Sequence, residues 1–433
     1  ADSQSDPKDF NRMEIVKKVD SFLLHKDEYS SASEELQKCG EEIEQLLIRY
    51  KDFLLEEDRI HYWLKLGQLY SITKSNKQLA IEPLSKVVQL DPNISEAWNA
   101  LADCFWHIGE YVMAQKCLET SLDQKREKEP LRNLSIIYRK LAMLDNENRV
   151  HYAESSVRLA KEALNKDLKD STSWGILGNA YLHAYFNLID DVKSAQLAIS
   201  SYEQAVKLSK GKLNTELYYN KALANKYCEY YDEALHSLDM AIKQENVWEP
   251  AAKLKCELVV FLNNVQYFHS TKGKLRPKRI NKYQKDLSAE QVGSYLETLN
   301  IKPVSITSLN TGKNANVLVY GKVIWTLCQQ DSSPFTCGCV ESSGESYVVL
   351  VYNVTPGKGF IIGDTLYIPE PNYKAQKFVY DGYVSAINTW TFYIISYGSK
   401  EEILVIITHF FSENLSFFPL EIQVLKPKGV HNR

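Results

Sequence analysis

The side chains of this sequence that could do chemistry are suited to binding rather than to making bonds. Within segments of helical periodicity, charged, amide and aromatic residues recur at related positions, namely Asn133, Arg139, Asn179, His183, Glu216, Tyr219 and Asn220. Arginine pairs with carboxylates, glutamate pairs with cations, and asparagine both donates and accepts hydrogen bonds, so it can hold a peptide backbone. The set predicts a site for an extended peptide that carries charges of both signs.

An alternative interpretation of the same residues is ordinary surface charge. Arg139 and Glu216 could be solvated, or they could pair with each other or with neighbouring side chains. The sequence leaves both interpretations open.

No catalytic or metal-binding motif is present in the sequence. The patterns GxxxxGK[ST], HExxH, GxSxG, CxxC and the EF-hand loop are all absent, and Gly357-Lys358-Gly359 is too short to cradle a phosphate. The nine histidines are scattered along the chain. We therefore expect a protein that is not an enzyme and that uses no cofactor and no metal.

Length and composition indicate a globular chain of two or three domains. The 433 residues are 44% hydrophobic and 24% charged. No apolar run is long enough for a membrane span, and the first ten residues are polar and acidic, so we expect neither a span nor a signal peptide. The eight cysteines lack paired zinc spacing, which favours reduced thiols in the cytosol or nucleus over a disulfide framework.

The helices that must position the binding residues follow a repeat. Residues 171–182 place Trp174, Leu177, Gly178 and Tyr181 at the offsets of a tetratricopeptide first helix, in which the glycine lets a neighbouring helix approach closely. One such helix pair cannot bury its own apolar face, so several must stack. In this repeat class the candidate binding residues fall on first-helix positions that face the concave groove.

Five copies of the repeat are recognisable, of which the third is degenerate. We predict capping helices over residues 1–57, interpreted as two long antiparallel helices, then repeats over 58–248 and a solvating helix over 249–271.

A strongly basic run follows the last repeat. Residues 272–285 contain no acid and seven cations, namely Lys272, Lys274, Arg276, Lys278, Arg279, Lys282 and Lys285, whereas the whole chain has a net charge of −4. Because Gly273 and Pro277 interrupt the run, we interpret residues 272–302 as a linker or loop rather than a buried helix. The segment is either a solvated linker with incidental charge or a contact for a polyanion, for which RNA or DNA phosphate is the natural partner.

From residue 303 to residue 433 the periodicity changes to that of β-strands. Val317, Val319, Val323 and Trp325 alternate with other side chains, and several turn signals follow. A small barrel of the oligonucleotide-binding (OB) type is favoured, with an SH3-like barrel or a sandwich as alternatives. This region is rich in aromatic residues but not basic, which favours a structural or protein-docking barrel over one that binds nucleic acid directly. The predicted fold class is thus a multidomain α + β protein, in which a tetratricopeptide α-solenoid precedes an OB-fold-like β-barrel.

The order of these parts resembles the tetratricopeptide repeat protein 5 family, also called Strap, over nearly the whole chain. Its most specific pieces are residues 130–141 (PLRNLSIIYRKL), 173–186 (SWGILGNAYLHAYF), Gly321-Lys322-Val323, Val351-Tyr352-Asn353 and 363–372 (GDTLYIPEPN). The last of these is the most distinctive.

The resemblance implies two roles. In the cytoplasm such proteins recognise the N-terminal Met-Arg-Glu peptide of nascent α- and β-tubulin on the ribosome and trigger tubulin mRNA decay, through a decay adaptor. In the nucleus they act as stress-responsive cofactors that join acetyltransferase coactivators and bind chromatin or DNA. The first role is the expected function of this chain and the second is the alternative; neither involves a membrane.

The resemblance also implies roles for individual residues. The family's groove arginine falls on Arg139, and its groove acid falls on Glu216, where this chain has Glu in place of the family's Asp. The family's contact with ribosomal RNA falls in the basic run, where Lys278 and Arg279 are the leading candidates.

Overall fold

The computed structural model describes residues 12–24, 34–73, 77–188, 192–210, 214–244, 248–287, 302–327, 335–351, 360–381, 387–397 and 406–407. The chain divides into two compact units, Ala1–Leu213 and Asn214–Arg433. We call these the first and the second unit and describe each separately. The last part of the predicted barrel domain, residues 408–433, lies outside the described residues.

Three helices begin the first unit, where the sequence predicted two long ones. They are α1 (Arg12–Leu24), α2 (Glu34–Arg49) and α3 (Lys51–Glu57). The second predicted helix is broken at Tyr50, whose side chain is buried with Phe22 and Leu47. These side chains pack on Leu66 and Leu69 of the next helix. The N-terminal helices therefore cover the apolar face of the first repeat.

Four helix pairs complete the first unit. They are α4 (Arg59–Thr73) with α5 (Gln78–Leu90), α6 (Ser95–His107) with α7 (Tyr111–Gln124), α8 (Lys128–Leu144) with α9 (Arg149–Lys166), and α10 (Ser171–Asn187) with α11 (Val192–Leu208). The signature glycines have the predicted role, because a Cβ on Gly178 would lie 2.6 Å from the ring of Tyr202, which is fully buried. Glycine thus sets how closely α10 and α11 approach.

The second unit begins with the fifth helix pair, α12 (Thr215–Tyr227) and α13 (Tyr231–Gln244), followed by α14 (Glu249–Ser270). The apolar side of α14 is not exposed to solvent. Phe261 and Leu262 of α14 are buried together with Tyr231 and Leu235 of α13 and with side chains of the barrel region.

The interpretation of the basic run as a loop is wrong for most of its length. Residues Lys272–Lys274 form a single 3₁₀ turn, and Pro277–Asp286 form a helix, α15. Pro277 occupies the first helical turn, where a missing N–H costs nothing, so the proline starts this helix rather than breaking it. Ile280 and Tyr283 lie three residues apart on one face of α15 and are buried.

The remaining described residues form one curled sheet. Its strands are β1 (Lys302–Pro303), β2 (Gly312–Lys313), β3 (Val317–Leu327), β4 (Phe335–Val340), β5 (Ser346–Val351), β6 (Thr365–Pro369), β7 (Asn372–Asp381), β8 (Ile387–Tyr397) and β9 (Ile406–Ile407). Their order is β2-β7-β8-β5-β4-β3-β6-β9, and β1 pairs parallel to β3. The β5–β8 pair is also parallel, and the other pairs are antiparallel.

Side chains of the long strand β3 contribute to two different cores because the strand contains a β-bulge. Its register against β4 shifts between Val323 and Trp325. Val319 and Val323 point into the barrel core, whereas Ile324 and Trp325 join the cluster that contains α13, α14 and α15. The simple alternation predicted for this strand is therefore wrong at Trp325, since a bulge moves the following side chains to the other face.

We call that second core the junction cluster. Its buried side chains include Tyr231, Leu235, Phe261, Leu262, Ile280, Tyr283, Ile324 and Trp325. Partly buried Phe268 of α14 stacks on Trp325, with ring centroids 5.9 Å apart and an interplanar angle of 25°. The last helices of the solenoid and the barrel are thus joined through one apolar core.

We predict that Gly178→Ala destabilises the protein. In an unobstructed helix interior this change stabilises by about 1 kcal/mol, but here the added methyl group would collide with the ring of Tyr202. Such overpacking costs about 1–3 kcal/mol. Urea denaturation should show a net loss, and adding Tyr202→Leu should recover part of it. A single variant more stable than the natural chain would contradict the packing described here.

Candidate functional site

Helix α8 carries the first pair of predicted binding residues. Its apolar face buries Leu131, Leu134 and Leu141. Asn133 and Arg139 lie off this face and are half-buried. The amphipathic pattern of the helix therefore holds both polar side chains at the border between core and solvent, where a charge keeps partial access to water.

Helix α10 carries the second pair, and its start is fixed by a cap. The side chain of Asp170 accepts hydrogen bonds from the backbone N–H groups of Thr172 and Ser173. Along the helix, Asn179 Oδ1 accepts a hydrogen bond of 2.7 Å from the hydroxyl of Tyr202 on α11. The amide of Asn179 is thus oriented by the helix that packs behind it.

His183 is the most unusual residue of the predicted set. Both ring nitrogens are buried, and neither has a hydrogen-bond partner among the residues that the structure describes. Burial, together with the positive charge of Arg139, lowers the pKa of His183 to about 4. The ring is therefore neutral at pH 7. The charge of Arg139 on α8 thus acts on the imidazole on α10, so the structure brings these two predicted residues together.

An ion-pair network that the sequence reasoning missed links α8 to the start of α10. Arg132 of α8 forms a 2.9 Å ion pair with Asp170, the residue that caps α10. Lys128 Nζ lies 3.1 Å from Asp167 and 3.6 Å from Asp170. Burial acts to raise the pKa of Asp170, but the hydrogen bond from Ser173 and the charges of Arg132 and Lys128 outweigh it and lower that pKa.

A sequence signal for this network did exist. Lys128 and Arg132 are four residues apart, so they share a face of α8, and Asp170 directly precedes a helix. Sequence spacing does not reveal that these two features meet across neighbouring repeats.

Helix α12, in the second unit, carries the remaining predicted residues. Asn214 caps the helix by accepting a hydrogen bond from the N–H of Glu216, whose side chain is exposed in the first turn. An acid in this position interacts favourably with the helix dipole. Exposure leaves its carboxylate accessible to a ligand, but it equally suits the alternative of a solvated surface charge.

The aromatic and amide residues of α12 lie farther along the helix. Tyr219 is half-buried, and its ring packs edge-on against Trp248 with centroids 5.2 Å apart. Asn220 is also half-buried. Burial lowers the pKa of Lys226, against the opposing effect of Glu257 on α14. This part of the second unit combines both charge signs with aromatic side chains.

The predicted RNA-binding residues divide into two groups. Lys272 is half-buried and donates a 3.3 Å hydrogen bond to the carbonyl of Gly344, and the Lys274 ammonium lies 5.1 Å from the centre of the Tyr267 ring. The other predicted contacts are Arg276, Lys278, Arg279 and Lys282, which are exposed on α15 or at its start, as is the seventh cation of the run, Lys285, in the last turn. The helix thus buries one apolar side and presents cations on the other.

The orientation of Arg279 is set by the buried side of the same helix. Its Nε donates a 2.8 Å hydrogen bond to the hydroxyl of Tyr283, whose ring is buried in the junction cluster. The guanidinium centre lies 5.5 Å from the centre of that ring. Tyr283, which the sequence reasoning did not select, therefore positions a predicted phosphate contact.

The described residues contain no group of three or more His, Cys, Asp or Glu that could hold a metal ion. In the described part of the chain no helix is sufficiently long and apolar to cross a bilayer.

Solenoid helices, followed along the chain by a basic helix and a curled nine-stranded sheet, define a tetratricopeptide adaptor with an OB-fold domain. The family model described as "Tetratricopeptide repeat protein 5 OB fold domain" matches residues 300–405. The chain is 33% identical over 383 residues to tetratricopeptide repeat protein 5 of Mus musculus, covering 84% of this chain and 87% of that protein. It is 34% identical over 328 residues to the Homo sapiens protein, covering 73% and 74% respectively.

The chain therefore belongs to the tetratricopeptide repeat protein 5 family. Among solved structures, the tetratricopeptide protein YrrB, described as having an unusual peptide-binding site, covers 47% of this chain and 96% of its own length, at 16% identity and a TM-score of 0.37. The predicted fold class, a repeat solenoid followed by an OB-fold domain, is confirmed.

We predict a pH dependence of stability that depends on His183. The pKa of His183 is about 4 in the folded protein and about 6.5 in an unfolded chain. Between these values the unfolded state binds more protons, so the free energy of unfolding falls as pH decreases from about 6.5 to about 4. Replacing the imidazole in His183→Gln should remove this part of the pH dependence in urea titrations.

NMR titration of the histidine ring protons tests the cause directly. Because the charge of Arg139 contributes to the low pKa, Arg139→Met should move the pKa of His183 upward, towards 6.5. An unchanged pKa in that variant would contradict the proximity of the two side chains.

Proposed function

We propose that this protein is a non-enzymatic adaptor that recognises the N-terminal Met-Arg-Glu peptide of nascent α- and β-tubulin at the ribosome and thereby triggers tubulin mRNA decay. Family membership supports the proposal, because it makes the expectations drawn from the family relevant to this chain. The observation that carries it is the placement of Arg139 on α8, half-buried and near enough for its charge to lower the pKa of the buried imidazole of His183, whose nitrogens have no hydrogen-bond partner in the described residues.

A carboxylate suits that place for physical reasons. Arginine binds a carboxylate through two parallel hydrogen bonds, and a half-buried site strengthens such a bond relative to water. Because His183 is neutral, it adds no second positive charge beside Arg139. We assign the glutamate of the peptide to Arg139, and contacts with the peptide backbone to Asn133 and Asn179, because a side-chain amide can both donate and accept hydrogen bonds.

The arginine of the peptide is assigned to Glu216. The carboxylate of Glu216 is exposed, and Tyr219 and Asn220 follow it on the same helix. The resemblance to the family implies Asp at this position, so the longer Glu side chain would present the same charge with a different reach. Tyr219 offers a ring on which the guanidinium can stack.

The basic helix α15 is assigned to ribosomal RNA. Arg276, Lys278, Arg279 and Lys282 are exposed, whereas the barrel region from residue 303 onward carries ten acids and nine basic residues. Phosphate contacts are electrostatic and depend on salt, so a cluster of cations on one helix gives a localised docking contact. Binding there raises the effective concentration of the nascent peptide near the solenoid.

The proposal places the protein in the cytoplasm, where it would recruit an mRNA-decay adaptor. The alternative is a nuclear cofactor that joins acetyltransferase coactivators and binds chromatin through its barrel. One observation favours it, the stacked pair of Tyr320 and Tyr367, whose ring centroids are 5.7 Å apart. Half-buried Lys322 lies two residues from Tyr320 on β3. Aromatic side chains with a nearby cation suit stacking against bases.

Peptide titration tests the groove assignment. We expect Arg139→Ala to weaken binding of a Met-Arg-Glu peptide about tenfold or more, as expected for loss of a charge-assisted hydrogen bond. Glu216→Ala should have a smaller effect because that side chain is exposed. Arg126→Ala is the matched control, since Arg126 pairs with Glu162 at 2.6 Å elsewhere on the solenoid.

A second peptide identifies the partner of each charge. Replacing the glutamate of the peptide by glutamine should weaken binding to the natural chain but have little further effect on Arg139→Ala. Equal losses in both backgrounds would show that Arg139 does not contact that glutamate.

Ribosome co-sedimentation tests the basic helix. Reversing charge in Lys278→Glu/Arg279→Glu should abolish co-sedimentation at physiological salt and leave peptide affinity unchanged. Lys243→Glu/Lys253→Glu is the control, because it changes the net charge equally at exposed positions on α13 and α14. If the α15 variant binds ribosomes as the natural chain does, the assignment of α15 to ribosomal RNA is wrong.

A further inference from the structure

The connection between the repeats and the barrel is rigid in structure, although its composition is that of a linker. Phe261 and Leu262 of α14, Ile280 and Tyr283 of α15 and Trp325 of β3 are all buried in the junction cluster. A helix held by two or more buried side chains on one face does not move independently of the core that buries them. Helix α15 is therefore part of the second unit and not a tether.

The turn that precedes α15 is fitted tightly to the barrel. Gly273 has a φ of 66°, and a Cβ at this position would lie 2.6 Å from the carbonyl oxygen of Ile324 and 2.8 Å from the Cβ of Trp325. Its neighbours Lys272 and Lys274 also have positive φ values, of 47° and 58°. Non-glycine residues adopt this conformation at a cost, so the surrounding contacts must hold the turn in place.

Further contacts hold the other side of α15. A Cβ on Gly363 would lie 3.1 Å from the hydroxyl oxygen of Tyr283, so the barrel backbone passes directly beside this ring. Lys272 donates to the carbonyl of Gly344, in the turn between β4 and β5. The cations of α15 are thus presented from a fixed base.

The helix assigned to peptide binding belongs to the same compact unit. Helix α12 pairs with α13, and Tyr231 and Leu235 of α13 are members of the junction cluster. Helix α12 is thus connected to α15 through packed side chains alone, first those of α13 and then those of the junction cluster. The separation between the peptide contacts on α12 and the cations on α15 is consequently fixed by packing.

We propose that the second unit acts as a rigid spacer, which holds α12 at a set distance from an RNA-bound α15 and so makes recognition depend on the length of the emerging nascent chain. This inference rests on the function proposed above and specifies its regulation. An extended chain spans at most about 3.3–3.6 Å per residue. The peptide therefore reaches a rigidly held α12 only when enough residues have emerged, whereas a flexible tether would blur that threshold.

Stalled ribosomes with nascent chains of stepped length provide the test. Each chain begins with Met-Arg-Glu and carries a photoreactive group near its N-terminus, and crosslinking to the protein is measured against chain length. For the natural protein we expect the crosslinking yield to rise from background to its maximum over a few residues.

The decisive variant converts the rigid contact into a tethered one. Lys278→Glu/Arg279→Glu removes the original contact, and a copy of residues 272–285 is appended to the C-terminus through about twenty Gly and Ser residues, which span ~25 Å on average. We expect this full-length variant to regain ribosome co-sedimentation but to crosslink over a broad range of chain lengths. An onset as sharp as that of the natural protein would overturn the spacer.

A point substitution tests the same idea without removing any charge. Gly273→Ala should displace the turn from β3 and broaden or shift the onset by several residues. Gly312→Ala is the matched control, because Gly312 also has a positive φ, of 100°, but its Cβ would meet no atom within 4 Å. If both variants behave like the natural chain, the turn does not position α15.

Two preliminary measurements separate failure of the spacer from failure of the proposed function. Every variant is tested for affinity to the free Met-Arg-Glu peptide and for ribosome co-sedimentation, and retained peptide affinity also shows that it has folded. A natural protein that binds neither peptide nor ribosome contradicts the proposed function and the spacer together. Normal binding of both, with a length dependence that no variant alters, contradicts the spacer alone.

Discussion

A stack of helix pairs has an apolar face at each end, and something must cover each face. In the first unit Phe22, Leu47 and Tyr50 of the N-terminal helices cover α4. In the second unit α13 and α14 bury their apolar side chains against α15 and the barrel. A conventional solvating helix would have met the same need with a polar outer face. Because the barrel takes that role here, stability of the last helices and placement of the basic helix depend on the same contacts.

The repeats could be predicted from the sequence because their signal is geometric. Gly178 and Trp174 report how closely helices approach, and this constraint recurs with each copy. The basic segment was misinterpreted since two signals conflicted. Gly273 and Pro277 are read as loop residues, yet here the glycine fits a turn against β3 and the proline begins a helix. The spacing of Ile280 and Tyr283 was the available evidence for a buried face, but seven surrounding cations obscured it.

The candidate binding residues could also be predicted only in part from the sequence. Periodicity identifies Arg139 and His183 as polar positions on first helices, but it does not reveal that the charge of one acts on the ring of the other. Nor does it reveal that Arg132 forms an ion pair with Asp170. That contact depends on which helix end lies opposite the arginine. Such a contact joins residues that are 38 apart in sequence, so no local pattern records it.

The distribution of charge favours one orientation of the protein when it docks on a polyanion. The whole chain has a net charge of −4 although residues 272–285 contribute seven cations, so the rest of the molecule is more acidic than the whole. A polyanion repels most of this surface and attracts one helix, within the screening length of about 8 Å at physiological salt. Encounters in which α15 faces the polyanion are then the ones that lead to binding. Because α15 is fixed in the junction cluster, an orientation chosen by electrostatics at that helix also orients α12.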